Sequence, residues 1–543
     1  MTGGKALVKS LLNHGVDTIF GLPGVQMDHL YNALYDEGNA IRVIHTRHEQ
    51  GAAYMALGYA QSSGRVGTYA VVPGPGLLNT TAALATAYAC NTPILAISGQ
   101  IPSNAIGQGL GLLHEIPDQL TMIRGVTKWA ERIGHPAQTP DLVREAFKQL
   151  RTGRVRPVEL EMPMDVMAQE SEVKLLDPIA VYEPPEPDGD LIEKAAELLG
   201  NAERPMIFVG GGVFGAEVEL LEVAEMLQAP VVSFRNGRGA VSDRHYLSQT
   251  LPAGYRLWAE TDVVLAVGTR LQNPRMTWGV DDGLKIIRID IDPTEIKRFM
   301  PANLAIVSDA KKALAALIPA LARSNRPRPS REEELTGLKA TIMAELDRKL
   351  APQMAYVRVL REELPVDGLL VEELTQIGYV TRIAFPVYQP RTLLTSGYQG
   401  TLGYGFATAL GAKIAHPDKK VLSINGDGGF MYNVQELSTA MKHNIDVVAV
   451  VFNDGAFGNV KRMQIHRHGG KVIASDLQNP DFVRLAESFG ANACRAESPE
   501  DLKTALRRAF DQNGPSVIEV PVGVMPDPWP LLMPPRIRPV NPA

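Results

Sequence analysis

The chain has 543 residues, 45% of them hydrophobic and 21% charged, which suits about three globular domains with large cores and excludes a disordered or fibrous protein. Lysine and arginine total 54 against 60 aspartate and glutamate, a net charge of −6, so there is no basic excess for nucleic acid and no polybasic tract for an anionic membrane. Lys5 and Lys9 interrupt the N-terminus before any apolar run of signal-peptide length, no later run approaches a membrane span, and Cys90 and Cys494 lack zinc-like spacing; the expectation is a cytoplasmic protein with free thiols.

Residues up to about 170 alternate apolar strands, at 18–20, 42–44, 67–72 and 94–97, with helical stretches. That rhythm predicts a doubly wound parallel sheet. The turns Gly21-Leu22-Pro23-Gly24 and Pro73-Gly74-Pro75-Gly76 follow two of these strands and would let a ligand approach backbone. Between them, Arg47-His48-Glu49-Gln50-Gly51-Ala52-Ala53 opens a helix rich in small residues. From the local pattern Glu49 is either a first-turn acid favoured by the helix dipole or a functional acid. His48 reads as a packing or solvent-facing residue. An irregular glycine-rich loop then runs from Gly107 to Gln119 and carries His114 and Glu115.

Glu183-Pro184-Pro185-Glu186-Pro187-Asp188 is a stiff polar connector. Past it, Met206–Val209 runs into Gly210-Gly211-Gly212-Val213-Phe214-Gly215, a G-x-G-x-x-G after a strand. The dinucleotide reading of this motif is weak, because the next strand, 231–234, ends at Arg235-Asn236 without the acid that would hold a ribose. Strands at 262–267 and 285–291 complete a second parallel sheet. Ser324–Glu334, basic then acidic, reads as a second linker. The predicted domains are therefore 1–182, 188–323 and 350–543.

In the third domain, strands at 420–424 and 446–452 flank Val434, Leu437, Ala440 and Met441 at helical spacing. A right-handed crossover returns the second strand parallel to the first, so Asp427 and Asn453-Asp454 should leave the same carboxyl edge of the sheet. Gly426, Gly428 and Gly429 remove side chains where backbone amides and a helix N-terminus could hold a diphosphate. Asp427, Asp454 and a loop carbonyl such as that of Ala456 offer hard oxygens suited to Mg²⁺. Taken alone, the glycine–aspartate turn could equally be a tight turn with a capping acid.

Asn425-Gly426-Asp427-Gly428-Gly429 followed by Asn453-Asp454 resembles the thiamine-diphosphate fingerprint. Thr395-Ser396-Gly397 with Gly400-Thr401-Leu402-Gly403-Tyr404-Gly405 is similar to the acetohydroxyacid (acetolactate) synthase branch of that superfamily. The segment from Arg47 to Ala60 resembles the family's catalytic-glutamate segment. The resemblance spans nearly the whole chain. It implies three doubly wound α/β domains, termed pyrimidine-binding, central and diphosphate-binding, with thiamine diphosphate and Mg²⁺ as cofactors. It assigns the metal to Asp427, Asp454 and the Ala456 carbonyl. Asp454 departs from the family pattern, where Asn is usual at that place.

By matching positions the catalytic residue is Glu49, whose carboxylic acid would promote the imino form of the aminopyrimidine ring that removes the thiazolium proton. Burial among Ala and Gly side chains would keep a proton available on it. The resemblance further implies cofactor contacts at Gly24, Pro73, Gly76, Asn79, Tyr379, Gly400, Leu402, Gly426, Gly428, Gly429, Phe457, Gly458 and Asn459, with Leu402 as the bulky residue that bends the cofactor. It implies a substrate pocket at Val25, Gln26, His114, Glu115, Val460 and Met463. The usual Phe-Gln of a biosynthetic synthase is His114-Glu115 here, and the usual Trp is Met463. His114 could act as acid or base on a hydroxyl, or could pair with Glu115 in the loop. FAD is held by the central domain of some family members, but the segment from Arg235 to Glu260 is shorter than the FAD-holding version. The implied partners are a small 2-keto acid or acyloin and a second copy of the chain, in a homodimer or homotetramer with sites at the subunit interface. The expected activity is a carboligase or decarboxylase of 2-keto acids. A lyase similar to benzaldehyde lyase, which Val126-Thr127-Lys128-Trp129-Ala130 suggests, and a non-catalytic cofactor-binding protein are the rivals.

Overall fold

The computed structural model describes residues 1–180, 182–298 and 302–539. Short apolar runs form strands buried on both faces, as parallel sheets between helices require. The first sheet contains β1 (Thr18–Gly21), β2 (Arg42–His45), β3 (Gly67–Val71), β4 (Ile94–Gln100), β5 (Trp129–Arg132) and β6 (Val158–Pro163), in the order β2-β1-β3-β4-β6-β5. The central sheet contains β7 (Met206–Val209), β8 (Val231–Ser233), β9 (Ser248–Gln249), β10 (Val263–Val267), β11 (Lys285–Asp290) and β12 (Leu304–Val307), in the order β12-β11-β10-β7-β8-β9. The third includes β13 (Leu369–Glu372), β15 (Val421–Gly426), β16 (Val448–Asn453), β17 (Asn492–Arg495) and β18 (Ser516–Pro521), in the order β13-β15-β16-β18-β17, with β14 at Leu393–Thr395. Pairing within each is parallel, so the chain has the α/β architecture that the strand–helix alternation predicts.

The chain forms two compact units. One holds Met1–Tyr182, Leu369–Leu374 and Ser396–Pro521, hence the first sheet and most of the third. The other holds Glu183–Gly368, Thr375–Thr395 and Val522–Ala543, with the central sheet.

In the first unit the small-residue helix Glu49–Ser63 packs against the helix Gly405–Ala415. A Cβ on Gly58 would lie 1.9 Å from the Thr408 carbonyl oxygen, and one on Gly411 would lie 1.8 Å from that of Met55. The glycines thus let two backbones touch, which explains the run of Ala and Gly after Glu49. The crossing is pinned by Tyr404, whose hydroxyl donates to Gln61 at 2.6 Å, and by a 2.8 Å hydroxyl contact between Thr86 and Thr401.

In the second unit the glycines of the G-x-G-x-x-G stretch serve packing. A Cβ on Gly210 would lie 2.4 Å from the Gly268 carbonyl oxygen and one on Gly212 would lie 2.8 Å from the Gly268 Cα. The acidic half of the expected second linker is regular structure: Glu332–Glu334 form the first turn of a helix that runs to Lys349, where the helix dipole favours them. The proline-rich tail lies along the helices Ala351–Glu363 and Gln376–Ala384. Gln353 donates to the Pro526 carbonyl at 2.7 Å, and the Trp529 and Tyr379 rings stand 5.1 Å apart. Among the described residues no helix is long and apolar enough to cross a membrane.

Candidate active site

β15 and β16 pair in parallel with Gly426 opposite Phe452, so Asp427 and Asn453-Asp454 do leave one edge of the sheet together. The turn after β15 is a single helical turn, Asp427–Phe430. The helix expected to follow is broken at Met431–Asn433 before resuming at Leu437–His443. The break has a local cause: the Asn433 side chain donates to the Gly403 carbonyl at 2.6 Å, which ties the segment to the loop at 400–405.

Asp427 is almost fully buried. Its Oδ2 accepts from the Gly455 amide at 3.0 Å and from the Asn479 carboxamide at 2.6 Å. Burial pushes its carboxyl above the usual carboxylate range, against the pull of Asn479 and of the Gly428 and Gly455 amides. Asn453 faces the same carboxamide, its Oδ1 accepting from Asn479 at 2.9 Å. Asp454 caps its own loop, Oδ1 accepting from the Ala456 amide at 3.3 Å, and a Cβ on Gly458 would lie 2.5 Å from its Oδ2. Ala456 bridges to Asp476, and the Phe457 amide donates to the Ser475 carbonyl at 2.8 Å. The Phe457 ring occupies the space that a Gly428 side chain would need, with Cε1 2.6 Å from the Cβ position. Gly458 and Asn459 begin the helix Gly458–Arg467, which buries none of its residues and presents Val460 and Met463 outward.

A second acid lies behind this turn. Glu373, at the end of β13, accepts from the Gly403 amide at 2.6 Å and the Gly405 amide at 3.2 Å. A Cβ on Gly429 would lie 2.1 Å from its Oε1. Burial raises its carboxyl to about 7. It therefore holds the loop of Gly400, Leu402 and Gly403 against the glycine turn. Tyr379 lies in the other unit.

The other expected cluster forms at the carboxyl edge of the first sheet. Glu49 is the first residue of its helix and is half-buried. Its Oε2 accepts from the Asn79 carboxamide at 3.0 Å, and its Oε1 lies 3.7 Å from where a Gly76 Cβ would be. His48 is the helix cap, with Nδ1 accepting from the Gln50 amide at 3.1 Å. Val72 fills the space between Gly24 and Gly76, its methyl groups 2.5 Å from each Cβ position, and Pro73 follows it.

Gln26 is buried and donates to the Leu113 carbonyl at 3.1 Å, while its buried Oε1 has no hydrogen-bond partner among the described residues; Val25 beside it is exposed. His114 has a φ of +68° and a buried Nδ1 that is likewise unpartnered. The Glu115 carboxylate does not turn to His114: it accepts from the Leu112 amide at 2.9 Å and the Leu110 amide at 3.3 Å, and the Leu112 contact leads in holding it below the usual carboxylate range.

The structure thus gathers Glu49, Gly24, Pro73, Gly76, Asn79, Gln26, His114 and Glu115 on one sheet edge and Asp427, Asp454, Ala456, Phe457 and Gly458 on the other. Among the described residues no hydrogen bond or ion pair links Glu49 to Asp427. Within the unit the two domains meet beside Glu49, where the buried Glu436 accepts from the Arg47 and His48 amides at 3.1 and 3.0 Å. Asn479 was not legible in the sequence: it lies in an irregular segment, and its only local cue is the Pro480-Asp481 that follows. Glu373 had a cue, two acids ending the apolar run Leu369–Val371, at a strand edge where ligands collect.

Three family models match the chain in order: the N-terminal TPP binding domain of thiamine pyrophosphate enzymes over residues 1–122, their central domain over 192–317 and their C-terminal TPP binding domain over 375–520. A probable acetolactate synthase large subunit of Methanocaldococcus jannaschii is 37% identical over 96% of this chain and 92% of its own. A probable 2-ketoarginine decarboxylase of Pseudomonas aeruginosa is 35% identical over 96% and 94%. The acetolactate synthase large subunit of Corynebacterium glutamicum is 34% identical over 98% and 88%. The chain belongs to the thiamine pyrophosphate enzymes, in their acetolactate synthase-like branch, and is an enzyme that makes or breaks carbon–carbon bonds with thiamine diphosphate.

Proposed function

We propose that this enzyme is a Mg²⁺-dependent carboligase or decarboxylase of 2-keto acids. In this reading residues 1–182 bind the pyrimidine, 188–323 form the central domain and 350–543 hold the diphosphate and metal. The single observation that carries it is the buried Asp427 carboxyl, raised by desolvation and, among the described residues, hydrogen-bonded by neutral amides, at a sheet edge lined by glycines. Such a group fits a hard cation, which would compensate its charge. Asp427, Asp454 and the Ala456 carbonyl would hold Mg²⁺, and amides from Gly426, Gly428, Gly429, Gly458 and Asn459 would hold the diphosphate. We assign the central domain no FAD, since packing accounts for its glycines.

When bound, thiamine diphosphate supplies the electron sink for breaking or making the bond beside a carbonyl. The chain's own residues do the rest. Glu49 would hold a proton against the pyrimidine nitrogen, and the Asn79 carboxamide on its Oε2 orients it. Leu402, on a loop fastened by Glu373 and Asn433, would support the bound cofactor, with Gly24, Pro73, Gly76, Gly400 and Phe457 as further contacts. Because Glu49 and Asp427 each face their own loops, the reading requires a second copy of the chain to bring the two ends together in a homodimer or homotetramer.

A second reading, cleavage or ligation of 2-hydroxy ketones, is favoured by the unpartnered Gln26 Oε1 and His114 Nδ1, since both could hydrogen-bond a substrate hydroxyl. Release of CO₂ or aldehyde from a panel of 2-keto acids and acyloins, with and without cofactor and Mg²⁺, decides between them. Turnover of 2-keto acids supports the first reading, aldehyde from acyloins alone supports the second, and no turnover of either class overturns both.

A further inference from the structure

Behind the Glu49 cluster, in the interior of the first domain, lies a hydrogen-bond network that the reaction does not call for. Gln119 is 1% exposed. Its Oε1 accepts from the Gly74 amide at 2.8 Å. Its Nε2 faces three acceptors: Ser98 Oγ at 3.1 Å, the Gly99 carbonyl at 3.0 Å and Glu161 Oε2 at 2.8 Å. Glu161 is fully buried and is held in turn by Gln100 at 3.2 Å and by Arg132. Ser98 donates to Glu159, also fully buried, at 2.6 Å. A polar group this deep is costly to leave unpaired, and the Gln119 carboxamide is paired at both ends.

We infer that Gln119 is a positioning residue for Glu49, acting from the Glu161 anchor through the Pro73–Gly76 turn. The path is short. Gly74 has a φ of +57°, and a Cβ on it would lie 2.2 Å from the His114 carbonyl oxygen, so the turn is held between the Gln119 side chain and the His114 backbone. Two residues on, the Gly76 backbone flanks Glu49 Oε1, and Asn79, at the end of the same helical turn, donates to Glu49 Oε2. A shift of the Gly74 amide is passed along this turn to the Asn79 hydrogen bond on the Glu49 carboxyl.

The chemistry selects a carboxamide at 119. One end must accept from an amide and the other must donate to a carboxylate, which neither a Glu nor an apolar residue can do. Gln119 also opens the helix Gln119–Arg124, whose cap is Asp118, with Oδ1 accepting from the Thr121 amide at 3.0 Å. It therefore closes the loop that carries His114 and Glu115 while fixing the turn opposite.

The inference rests on Glu49 doing proton work, so the test has one readout that does not. In the cofactor-free protein, Gln119→Met should speed hydrogen exchange of the Gly74 amide by about tenfold or more, read by mass spectrometry of the peptide spanning the turn. At saturating cofactor it should lower kcat about tenfold and leave substrate KM within about twofold. Gln119→Asn, which keeps the carboxamide but is one methylene too short to span both partners, should reproduce the loss if the Met variant does not fold. Unchanged Gly74 exchange, unchanged kcat in either Gln119 variant, or a KM raised as far as kcat is lowered overturns the inference while a wild type that turns over keto acids keeps its function. A wild type that neither binds thiamine diphosphate nor turns over overturns both.

Discussion

The Asn479 carboxamide donates to the Asp427 carboxylate at 2.6 Å and to Asn453 Oδ1 at 2.9 Å. Asn453 donates onward to Glu519 at 2.8 Å, and Glu519 is paired with Arg495. A cation, Arg495, stands at the far end of this relay, and among the described residues the hydrogen bonds to Asp427 come from neutral amides.

Cofactor binding should therefore need a divalent metal, and EDTA should strip thiamine diphosphate from the protein. Asp427→Ala should abolish binding, whereas Asp454→Asn, which restores the family's usual ligand, should be tolerated. Because burial raises the proton affinity of Asp427, proton and metal compete there, and metal affinity should fall as the pH is lowered. Calorimetry with and without Mg²⁺ checks these expectations; full-affinity binding without metal would show that Asp427 and Asp454 are not its ligands.

Glu373 sets a pH dependence of stability. Its carboxyl is raised by burial from 4.5 to about 7 in the folded protein, so the native state holds this proton more tightly than the unfolded chain. Its contribution is therefore most favourable below pH 4.5 and is lost as the pH rises through about 7, by about 3 kcal/mol in all. Glu373→Gln removes this titration. Denaturant midpoints of the cofactor-free protein between pH 5 and 8 should fall more steeply in the wild type than in the variant; parallel profiles would exclude a titrating Glu373.

His114 is expected to act on hydroxyl-bearing substrates, since its buried Nδ1 has no hydrogen-bond partner among the described residues. His114→Phe should slow turnover of acyloins by about a hundredfold, the scale of a lost acid–base group, and affect pyruvate decarboxylation less. The flexible Met463 on an exposed helix should leave the parent without strong preference for 2-ketobutyrate as second substrate. Steady-state rates on pyruvate, pyruvate plus 2-ketobutyrate and larger acyloins read both effects. Strong 2-ketobutyrate preference, or a silent His114→Phe, would return the enzyme to the ordinary synthase pattern.

What was legible in the sequence follows from what is local. Two parallel strands and a crossover place Asp427 and Asp454 on one edge whatever else the chain does, and the register of Gly426 with Phe452 agrees. The run of Ala and Gly after Glu49 was visible as a helix, but its reason, backbone contact at Gly58 and Gly411, needs the partner helix more than 300 residues away. Asn479, Glu373 and Gln119 act through contacts 30 to 52 residues distant, for which no spacing rule exists. The contacts of Glu115 were hidden for the opposite reason, being local. A titratable group in a glycine-rich loop suggests a ligand, yet the loop's own free amides claim it first.

The central claim is that Glu49 governs activation of the bound cofactor, and deuterium exchange at the thiazolium carbon measures that step directly. Glu49→Gln keeps the size of the side chain and an acceptor for Asn79, so fold and most cofactor affinity should persist. Exchange should slow by about a hundredfold or more. An exchange rate equal to that of the wild type, in a variant that still binds the cofactor, would contradict the account and leave Glu49 as the first-turn acid of its helix.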